Sequence, residues 1–268
     1  MRPDVHYHFL DPYRPAKSVL HTLDPRVKLI LTVAFILAVA LAPTAAWPLY
    51  TLLLALAVAA AVAAELGVTY ALKRALLALP FALAALPSLF TLPGARLFSL
   101  QIGQWVLTAT EPGLQRVLSV VLKSWISMQA AVLLTATTEF PDLLVAMRAI
   151  GVPRLLVAIF GLMWRYLFVL VDEAIRLIRA RDARSGSPMG QGGRTVWWRA
   201  RVTGGMAGNL FLRGYERSER IYAAMAARGY DGEVRTFPQP PLNIGQIIVL
   251  IGGLISLGAL TLLGIWFW

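Results

Sequence analysis

The sequence predicts an all-α integral membrane protein that has about five transmembrane helices and a pair of long cytoplasmic helices. The chain of 268 residues is 58% apolar and only 15% charged, whereas soluble domains average about 45–50% apolar and about 25% charged residues. Uncharged runs long enough to cross a hydrocarbon core of about 30 Å recur along the chain. The net charge of +11 is carried mainly by the segments between these runs, which is typical of cytoplasmic loops and not of a nucleic-acid partner.

Several kinds of chemistry are excluded by what the sequence lacks. It has no cysteine, so disulfides, thiolate metal sites and a cysteine nucleophile are ruled out. It also has neither the G-x-x-x-x-G-K-[ST] loop that cradles nucleotide phosphates nor the H-E-x-x-H motif of a metalloprotease. The pattern Asp4-x-His6-x-His8 offers only two imidazoles, which make a weak and unselective metal site. We therefore expect no catalytic residue, no resident metal and no cofactor.

The first two spans are predicted from the uncharged stretch between Lys28 and Glu65. As one helix this stretch would be roughly 54 Å long at 1.5 Å per residue, which is too long for a single crossing. Pro43 and Pro48 interrupt it, and prolines so placed end one helix and begin the next. The two predicted spans, joined by a tight turn, cover residues 28–43 and 48–65.

Three further spans are predicted downstream. The uncharged run 75–95 contains three prolines and predicts a kinked helix. A span within about 114–138 carries Lys123, which must face protein, water or an interface because a lipid-facing charge is costly. The run from Ile247 to Trp268 has no charged residue and predicts the last span.

The distribution of basic residues predicts a cytoplasmic N-terminus. Five basic side chains lie in the first 28 residues, and Lys73 and Arg74 follow the second span, whereas the loop at Pro43 has none. Four crossings then return the chain to the cytoplasm, and the fifth places Trp268 outside. The apolar segment Leu155–Val171 is expected to lie along the membrane, because a crossing there would carry an arginine-rich region to the outside.

This reasoning divides the chain into three regions. An N-terminal membrane domain with four spans covers 1–138, a cytoplasmic region covers 139–235, and the C-terminal transmembrane helix lies within 236–268. At the start of the cytoplasmic region, Pro141–Ile150 has the apolar spacing of a short amphipathic helix. A long helix is expected to follow from about Arg154 to Arg184.

An internal repeat lies in the stretch Glu173–Arg235, whose 63 residues contain 12 arginines, no lysine and six acids. Exclusive use of arginine favours bidentate hydrogen bonding or stacking against a partner protein over simple attraction to anionic lipid. Two segments displaced by 44 residues share the pattern Arg-x-x-x-Ala-x-x-Ala-Arg. The first copy contains Arg176, Ala180, Ala183 and Arg184 followed by Ser185, and the second contains Arg220, Ala224, Ala227 and Arg228 followed by Gly229.

Each copy of the repeat predicts a helix that ends in a projecting guanidinium. Positions i, i+4 and i+8 share one helix face, so each copy presents an arginine, an alanine and an arginine in a row. Gly229 suits the left-handed residue that ends a helix, and the terminal arginine complements the helix dipole. The Gly- and Ser-rich turn Ser185–Gly193 favours a hairpin or a crossed pair. Helix geometry alone leaves open a second interpretation, namely two ordinary amphipathic helices with solvated basic faces.

Three groups of residues match those of a known family. They are Leu20-His21-x-Leu23-Asp24-Pro25-Arg26-x-Lys28-Leu29, then Gly151-Val152-Pro153-Arg154 with Arg165-Tyr166-Leu167-Phe168 and Glu173-Ala174, and the triplets Ala183-Arg184-Ser185 and Ala227-Arg228-Gly229. With these residues most of the chain resembles the transmembrane T components of energy-coupling-factor (ECF) transporters, and within them the cobalt-type members. The departure is Ser185, where the family usually has glycine, because serine tolerates a left-handed helix end less well.

The resemblance implies a non-catalytic scaffold in the bacterial cytoplasmic membrane. The two long helices would be coupling helices whose tips enter grooves on a pair of ATP-binding-cassette (ABC) ATPases, and closure of that pair would topple a separate substrate-binding membrane subunit. For cobalt systems that subunit has a small accessory membrane protein. In this interpretation Arg184 and Arg228 donate hydrogen bonds to the ATPases and Ala183 and Ala227 allow a close fit, while Arg176, Ala180, Arg220 and Ala224 form the supporting helix face.

Other functions remain open at this stage. A T component could serve nickel or a vitamin in place of cobalt ions, since the substrate-recognising surface would lie on another chain. A membrane enzyme that acts on a lipid-linked phosphate would use the arginines to hold its substrate, but it would need acids or histidines nearby, and the cytoplasmic stretch has few. A self-contained channel or carrier is disfavoured because the spans hold few ionisable groups.

Overall fold

The computed structural model describes residues 12–78, 80, 83–102, 105–184, 196–232 and 240–267. Within these ranges the chain is helical apart from one two-stranded hairpin, so the predicted all-α class is confirmed for the body of the fold. The helices are α1 (Val19–Thr22), α2 (Pro25–Leu41), α3 (Trp47–Ala63), α4 (Val68–Ala75), α5 (Ser88–Thr91), α6 (Glu111–Thr137), α7 (Phe140–Ala149), α8 (Arg154–Arg184), α9 (Val196–Ala227) and α10 (Ile244–Phe267).

The chain divides into two compact units. The membrane unit comprises residues 11–150 and 239–268, and the helix-pair unit lies within residues 151–238. Sequence analysis placed 139–150 with the cytoplasmic region, but α7 packs against α2 and so belongs to the membrane unit. The break between the units falls at Gly151, whose φ of +95° ends α7 in a conformation that glycine adopts at little cost.

The start of the membrane unit follows the signals in the sequence. Asp24 caps α2 by accepting a hydrogen bond of 2.8 Å from the amide of Arg26, and Pro25 occupies the first helical turn. The predicted tight turn is present, because α2 ends at Leu41 and α3 begins at Trp47. Each helix has 17 residues and is therefore about 26 Å long, at the short end of what crosses a bilayer.

The predicted third span is broken and not merely kinked. Helix α4 continues as a 3₁₀ turn at Leu76–Ala78, a second 3₁₀ turn follows at Leu83–Ala85, and α5 is a single turn. The two arms of this segment are bent by 44°. Proline removes a backbone donor and cannot continue a helix, so three prolines in 21 residues account for the interruption.

A β-hairpin that sequence analysis did not predict lies between the third and fourth spans. Strand β1 (Arg96–Ile102) pairs antiparallel with β2 (Trp105–Thr110), and Ile102 stands opposite Trp105. Polar and apolar residues alternate only over Ser99–Ile102 and Leu107–Thr110, because Leu97-Phe98 and Trp105-Val106 are consecutive apolar pairs.

Helix α6 is the centre of the membrane unit and packs against α2, α3, α4 and α5. Its first turn approaches α5 so closely that a Cβ atom on Gly113 would lie 2.7 Å from the carbonyl oxygen of Leu89. The last helix, α10, lies on α2 and α3 through Gly253 and Gly264, which are covered by the side chains of Leu31 and Leu49. Gly253 and Gly264 thus allow α10 to approach α2 and α3 closely, as small residues do between membrane helices.

Three helices are long and apolar enough to cross a membrane within the described ranges. They are α6, α8 and α10, and the bent α4–α5 segment adds a fourth crossing if it is counted as one span. Helix α3 is also apolar, but it has only 17 residues. The prediction that residues 155–171 do not cross therefore depends on charge distribution and not on hydrophobicity, and it stays a prediction.

Two lysines join α2 and α6 by hydrogen bonds to C-terminal carbonyl groups of the other helix. Near the start of α2, the Lys28 ammonium donates to the carbonyl oxygen of Thr137, the last residue of α6, at 3.0 Å. In α6, Lys123 donates to the carbonyl oxygens of Ala42 at 2.5 Å and Ala40 at 3.3 Å, at the end of α2. The two helices are therefore antiparallel, and each supplies a cation to the C-terminal carbonyls of the other, where the helix dipole is negative.

We predict that Lys28→Met and Lys123→Met each destabilise the protein. Each substitution keeps a long apolar stem but leaves carbonyl oxygens of a helix end without a donor, and hydrogen bonds to charged groups contribute about 1.5–3 kcal/mol. A fall of roughly 3–10 °C in melting temperature is expected in detergent. The control is Lys73→Met, because Lys73 is exposed on α4. An equal fall for Lys73→Met would contradict the capping role.

Candidate coupling site

The end of α9 has the geometry that the sequence predicts for a helix tip. The amide of Tyr230 donates to the carbonyl oxygen of Met225 at 3.1 Å, and the amide of Gly229 donates to that of Ala226 at 3.0 Å. Gly229 has a φ of +79°. This pair of hydrogen bonds around a left-handed glycine is the Schellman motif, which ends a helix sharply. It holds Arg228 at the last position before the chain turns away.

The end of α8 falls at Arg184, as the sequence predicts. Ser185 and the predicted turn Ser185–Gly193 lie outside the described residues, so the residue that follows the first tip is not compared with Gly229. One turn earlier, Arg181 forms an ion pair of 2.8 Å with the adjacent Asp182. Among the described residues, the guanidinium of Arg184 has no such partner.

The two repeated rows lie on the surface of their helices. All the predicted contact residues that the structure describes are exposed, and within the described ranges neither Arg184 nor Arg228 has a side-chain partner. Arg220, in contrast, has a side-chain neighbour. Its guanidinium lies 4.0 Å from the carboxylate of Glu216, one turn before it on the same helix. The exposed residues are Arg176, Ala180, Ala183 and Arg184 in α8, and Arg220, Ala224, Ala227, Arg228 and Gly229 at the end of α9.

Helices α8 and α9 pack against each other well before their tips. Leu170 of α8 lies over Gly214 of α9, where an added Cβ would be 3.5 Å from the Leu170 side chain. Next to this contact, the guanidinium of Arg213 donates a hydrogen bond to the carboxylate of Glu173. This ion pair joins the two helices, and the Glu173 side chain is 18% exposed.

From the contact of Leu170 with Gly214, the two helices extend by equal lengths, here called arms, to their terminal arginines. Positions 170 and 214 differ by 44 residues, which is the displacement of the repeat. Each is therefore 14 residues before its terminal arginine, Arg184 or Arg228, or about 21 Å along a helix. The repeat thus places not only two similar tips but also two equivalent arms around one contact.

A groove of about 670 Å³ runs along the junction of α8 and α9 and is almost entirely apolar. A smaller cavity of about 200 Å³ adjoins it and contains Glu173, Arg213 and Arg217. Sequence analysis did not single out the Glu173–Arg213 pair or Gly214. The 44-residue displacement contains the signal, because it aligns Leu170 with Gly214. The apolar side chains of the groove include Leu162, Tyr166, Val169, Leu210, Phe211, Tyr215, Ile221 and Met225.

The remaining residues of interest are two arginines of α9 and the histidines. Arg199 and Arg201, which lie outside both copies of the repeat, are in the first turns of α9. The pattern Asp4-x-His6-x-His8 lies outside the described residues. Within the described ranges no cluster of three or more metal-ligating side chains is present. His21 is hydrogen-bonded through both ring nitrogens, to Ser18 at 2.7 Å and to the carbonyl oxygen of Arg14 at 2.9 Å.

Comparison with known proteins decides the family. A sequence model of the cobalt transport protein family, CbiQ, matches residues 16–238. The chain belongs to this family. The matched range spans both long helices and both terminal arginines, and the resemblance noted from the sequence is confirmed.

Relatives of this family member are transport components from several organisms. The cobalt transport protein CbiQ of Rhodobacter capsulatus is 30% identical over 183 residues, which is 67% of this chain and 72% of the relative. The energy-coupling factor transporter transmembrane protein EcfT of Brevibacillus brevis is 29% identical over 233 residues, 83% of this chain and 84% of its own length. The nickel permease LarQ of Lactiplantibacillus plantarum is 31% identical over 111 residues, 41% of this chain and 38% of its own.

We predict that Gly229→Ala loosens the end of α9 without creating a clash. No atom lies within 4 Å of a Cβ built on Gly229, so the penalty comes only from its left-handed backbone, which costs an L-residue about 1–2 kcal/mol. Amide hydrogen exchange at Tyr230 should accelerate roughly 5–30-fold, since 1.4 kcal/mol is a factor of ten. Gly229→Asn should have a smaller effect, because asparagine adopts this conformation more readily.

Gly208→Ala is the matched control for this experiment. Gly208 lies inside α9, and a Cβ built on it also has no atom within 4 Å. There the same substitution should stabilise the helix by about 0.5–1 kcal/mol, because glycine loses more backbone entropy than alanine. Unchanged exchange at Tyr230 in Gly229→Ala would contradict the proposed role of the left-handed glycine.

Proposed function

We propose that this chain is the transmembrane T component of an ECF-type ABC importer. In this function α8 and α9 are coupling helices that present Arg184 and Arg228 to a pair of ABC ATPases. Movements of that pair during ATP binding and hydrolysis are transmitted through the membrane unit to a separate substrate-binding membrane subunit. The chain itself contributes no catalytic residue and acts as a scaffold.

The observation that carries this proposal is the pair of exposed guanidinium groups at the ends of α8 and α9, which have no side-chain partner among the described residues. A partner made of two equivalent subunits would offer two equivalent docking grooves, and the repeated row of arginine and alanine fits such an arrangement. Alanine side chains are short, so an exposed arginine on the same helix face can approach acidic or carbonyl groups of a partner closely and donate two hydrogen bonds in parallel. Membership of a family of transport proteins supports the same assignment.

Cobalt ions are the proposed cargo of the importer. The family description and the CbiQ relative both name cobalt. Nickel is the second candidate, because the aligned part of LarQ is as similar to this chain as CbiQ is. A cobalt-type importer would contain a metal-binding membrane subunit and a small accessory membrane protein beside the ATPases. Uptake assays with labelled cobalt and nickel in a reconstituted complex distinguish the two cargoes.

We predict that Arg184→Ala and Arg228→Ala each weaken binding of the ATPase pair. Removal of one side of a buried, charge-assisted contact typically costs about 2–5 kcal/mol, because the partner group is left unpaired. That cost corresponds to a loss of more than about 25-fold in affinity. Arg→Lys should restore little binding if the contact is bidentate. Pull-down of the ATPases and substrate uptake are measured for both single variants and the double variant.

The matched controls for these variants are Arg199→Ala and Arg201→Ala. Both residues are exposed in α9 but lie more than six turns before its tip. An arginine at a solvated rim contributes under about 1 kcal/mol, so these variants should bind the ATPases nearly as well as the wild type. If the double variant binds and transports like the controls, the tips are not the coupling site. A membrane enzyme acting on a lipid-linked phosphate would bind no ATPase even as the wild type.

The orientation of the chain in the membrane is also proposed from its charges. We place the N-terminus and residues 139–240 in the cytoplasm and Trp268 outside, with residues 155–171 along the membrane. If α8 crossed the bilayer, the arginine-rich helix α9 would lie outside, against the positive-inside rule. Membership of a membrane transport family supports the multi-pass assignment.

We predict that a cysteine at position 218 is protected from a membrane-impermeant maleimide in intact cells. Ser218 is exposed in α9, and the natural sequence contains no cysteine, so Ser218→Cys is a single reporter. Thr44→Cys, in the turn between α2 and α3, is the control that should be labelled from outside. Both positions should be labelled after permeabilisation. Labelling of Ser218→Cys in intact cells would place α9 outside and overturn the orientation.

A further inference from the structure

The contact between α8 and α9 has the properties of a pivot. Arms of equal length extend from it to Arg184 and Arg228, so the angle between the helices determines how far apart the two tips are. A rotation of one helix by about 10° around the contact moves its tip by roughly 4 Å, given an arm of about 21 Å. Any group that holds this angle therefore controls whether both tips can dock at once.

Within the described ranges, a steric contact and an ion pair join the two helices at this point. The steric contact is made by Gly214, which has no side chain, against the end of the Leu170 side chain. The apolar groove lies beside this contact and is open, so side chains do not fill the junction there. The Glu173–Arg213 ion pair is the interaction at this point that has a defined direction, because a guanidinium and a carboxylate bond best in one plane.

The position of Glu173 makes it more than a surface charge. Its side chain is 18% exposed, whereas that of Arg213 is 61% exposed. Glu173 is also the acidic residue of α8 that lines the small cavity, where α9 contributes Arg213, Arg217 and Arg220. Glu216, the other acid there, lies on α9 itself, 4.0 Å from Arg220. A half-buried carboxylate that faces arginines of the other helix links the two helices more firmly than an exposed pair does.

We propose that Glu173 and Arg213 are positioning residues that set the crossing of the two helices and thereby the distance between the tips. Glu173 anchors the pair, Arg213 reaches it from α9, and Gly214 allows the helices to approach. The role rests on the proposed coupling function, but it concerns a part of the helix pair that lies more than ten residues before each tip. It predicts that the two tips act together only while this ion pair is intact.

The first experiment measures the geometry of the full chain alone, in lipid nanodiscs and without ATPases. Spin labels are attached to Ala180→Cys and Ala224→Cys, which are repeat-equivalent positions on the two arms. Glu173→Gln and Arg213→Gln should each broaden the distance distribution and shift its mean by about 2 Å or more, as expected for a change of about 10° at these arms. The charge-reversed pair Glu173→Arg with Arg213→Glu should restore a narrow distribution.

Four further variants make this experiment specific. Glu216→Gln removes an acid that pairs within α9 and should leave the distances unchanged. Arg217→Gln, one turn from Arg213, should have a smaller effect than Arg213→Gln. Gly214→Phe should change the distances by steric wedging, whereas Gly214→Ala should not, because its Cβ fits at 3.5 Å from Leu170. The pivot is wrong if Glu173→Gln leaves the distances unchanged, if the charge reversal fails to restore them, or if Arg217→Gln matches Arg213→Gln.

The second experiment measures coupling in the assembled transporter, with unlabelled variants. Uptake per ATP hydrolysed should fall at least about fivefold in Glu173→Gln and recover in the charge-reversed pair, as expected when a coupled pair and not either residue alone is required. Failure of the tip variants to affect ATPase binding would overturn the coupling function without altering the distance measurements. Unchanged distances or unchanged coupling in Glu173→Gln would overturn the pivot while the tips remain intact.

Discussion

The last turn of a helix leaves carbonyl groups without an intrahelical donor, and this constraint organises the membrane unit. The α2–α6 pair meets it from within, since Lys28 serves the end of α6 and Lys123 serves the end of α2. Backbone groups of the turn after α2 are also hydrogen-bonded by side chains of neighbouring helices. Ser119 accepts from the amide of Ala45 at 3.0 Å, and Tyr50 donates to the carbonyl oxygen of Pro43 at 2.5 Å. Every one of these partners comes from α2, α3 or α6, so satisfying the backbone also joins these helices.

Sequence reasoning succeeded where a single residue type has a strong local effect. The prolines around the first turn, the glycine of the α9 tip and the uncharged last span each indicated their structure directly. The start of α8 at Arg154 agrees with the predicted long helix, and the arginine repeat predicted the end of α9 within a residue. Lys123 was recognised as a residue that must face a protein group, but its acceptors lie more than 80 residues earlier in the chain. Spacing along one helix contains no information about such a partner.

What could not be predicted depends on contacts between distant elements. The hairpin between β1 and β2 is built from two short runs whose alternation is weak next to the surrounding apolar helices. The break between α4 and α5 required knowing that three prolines interrupt the helix and not merely bend it. The ion pair between Glu173 and Arg213 joins residues 40 positions apart, and only the three-dimensional crossing brings them together.

The equal arms of α8 and α9 limit how this region can change in length. One residue inserted between Leu170 and Arg184 would advance that tip by about 1.5 Å but would also turn its guanidinium by about 100° around the helix axis. The rotation, far more than the translation, would change the direction of the arginine relative to the contact between Leu170 and Gly214. The same holds for the arm from Gly214 to Arg228. Substitutions in these arms alter one contact at a time, whereas an insertion or deletion of a single codon misdirects a whole tip.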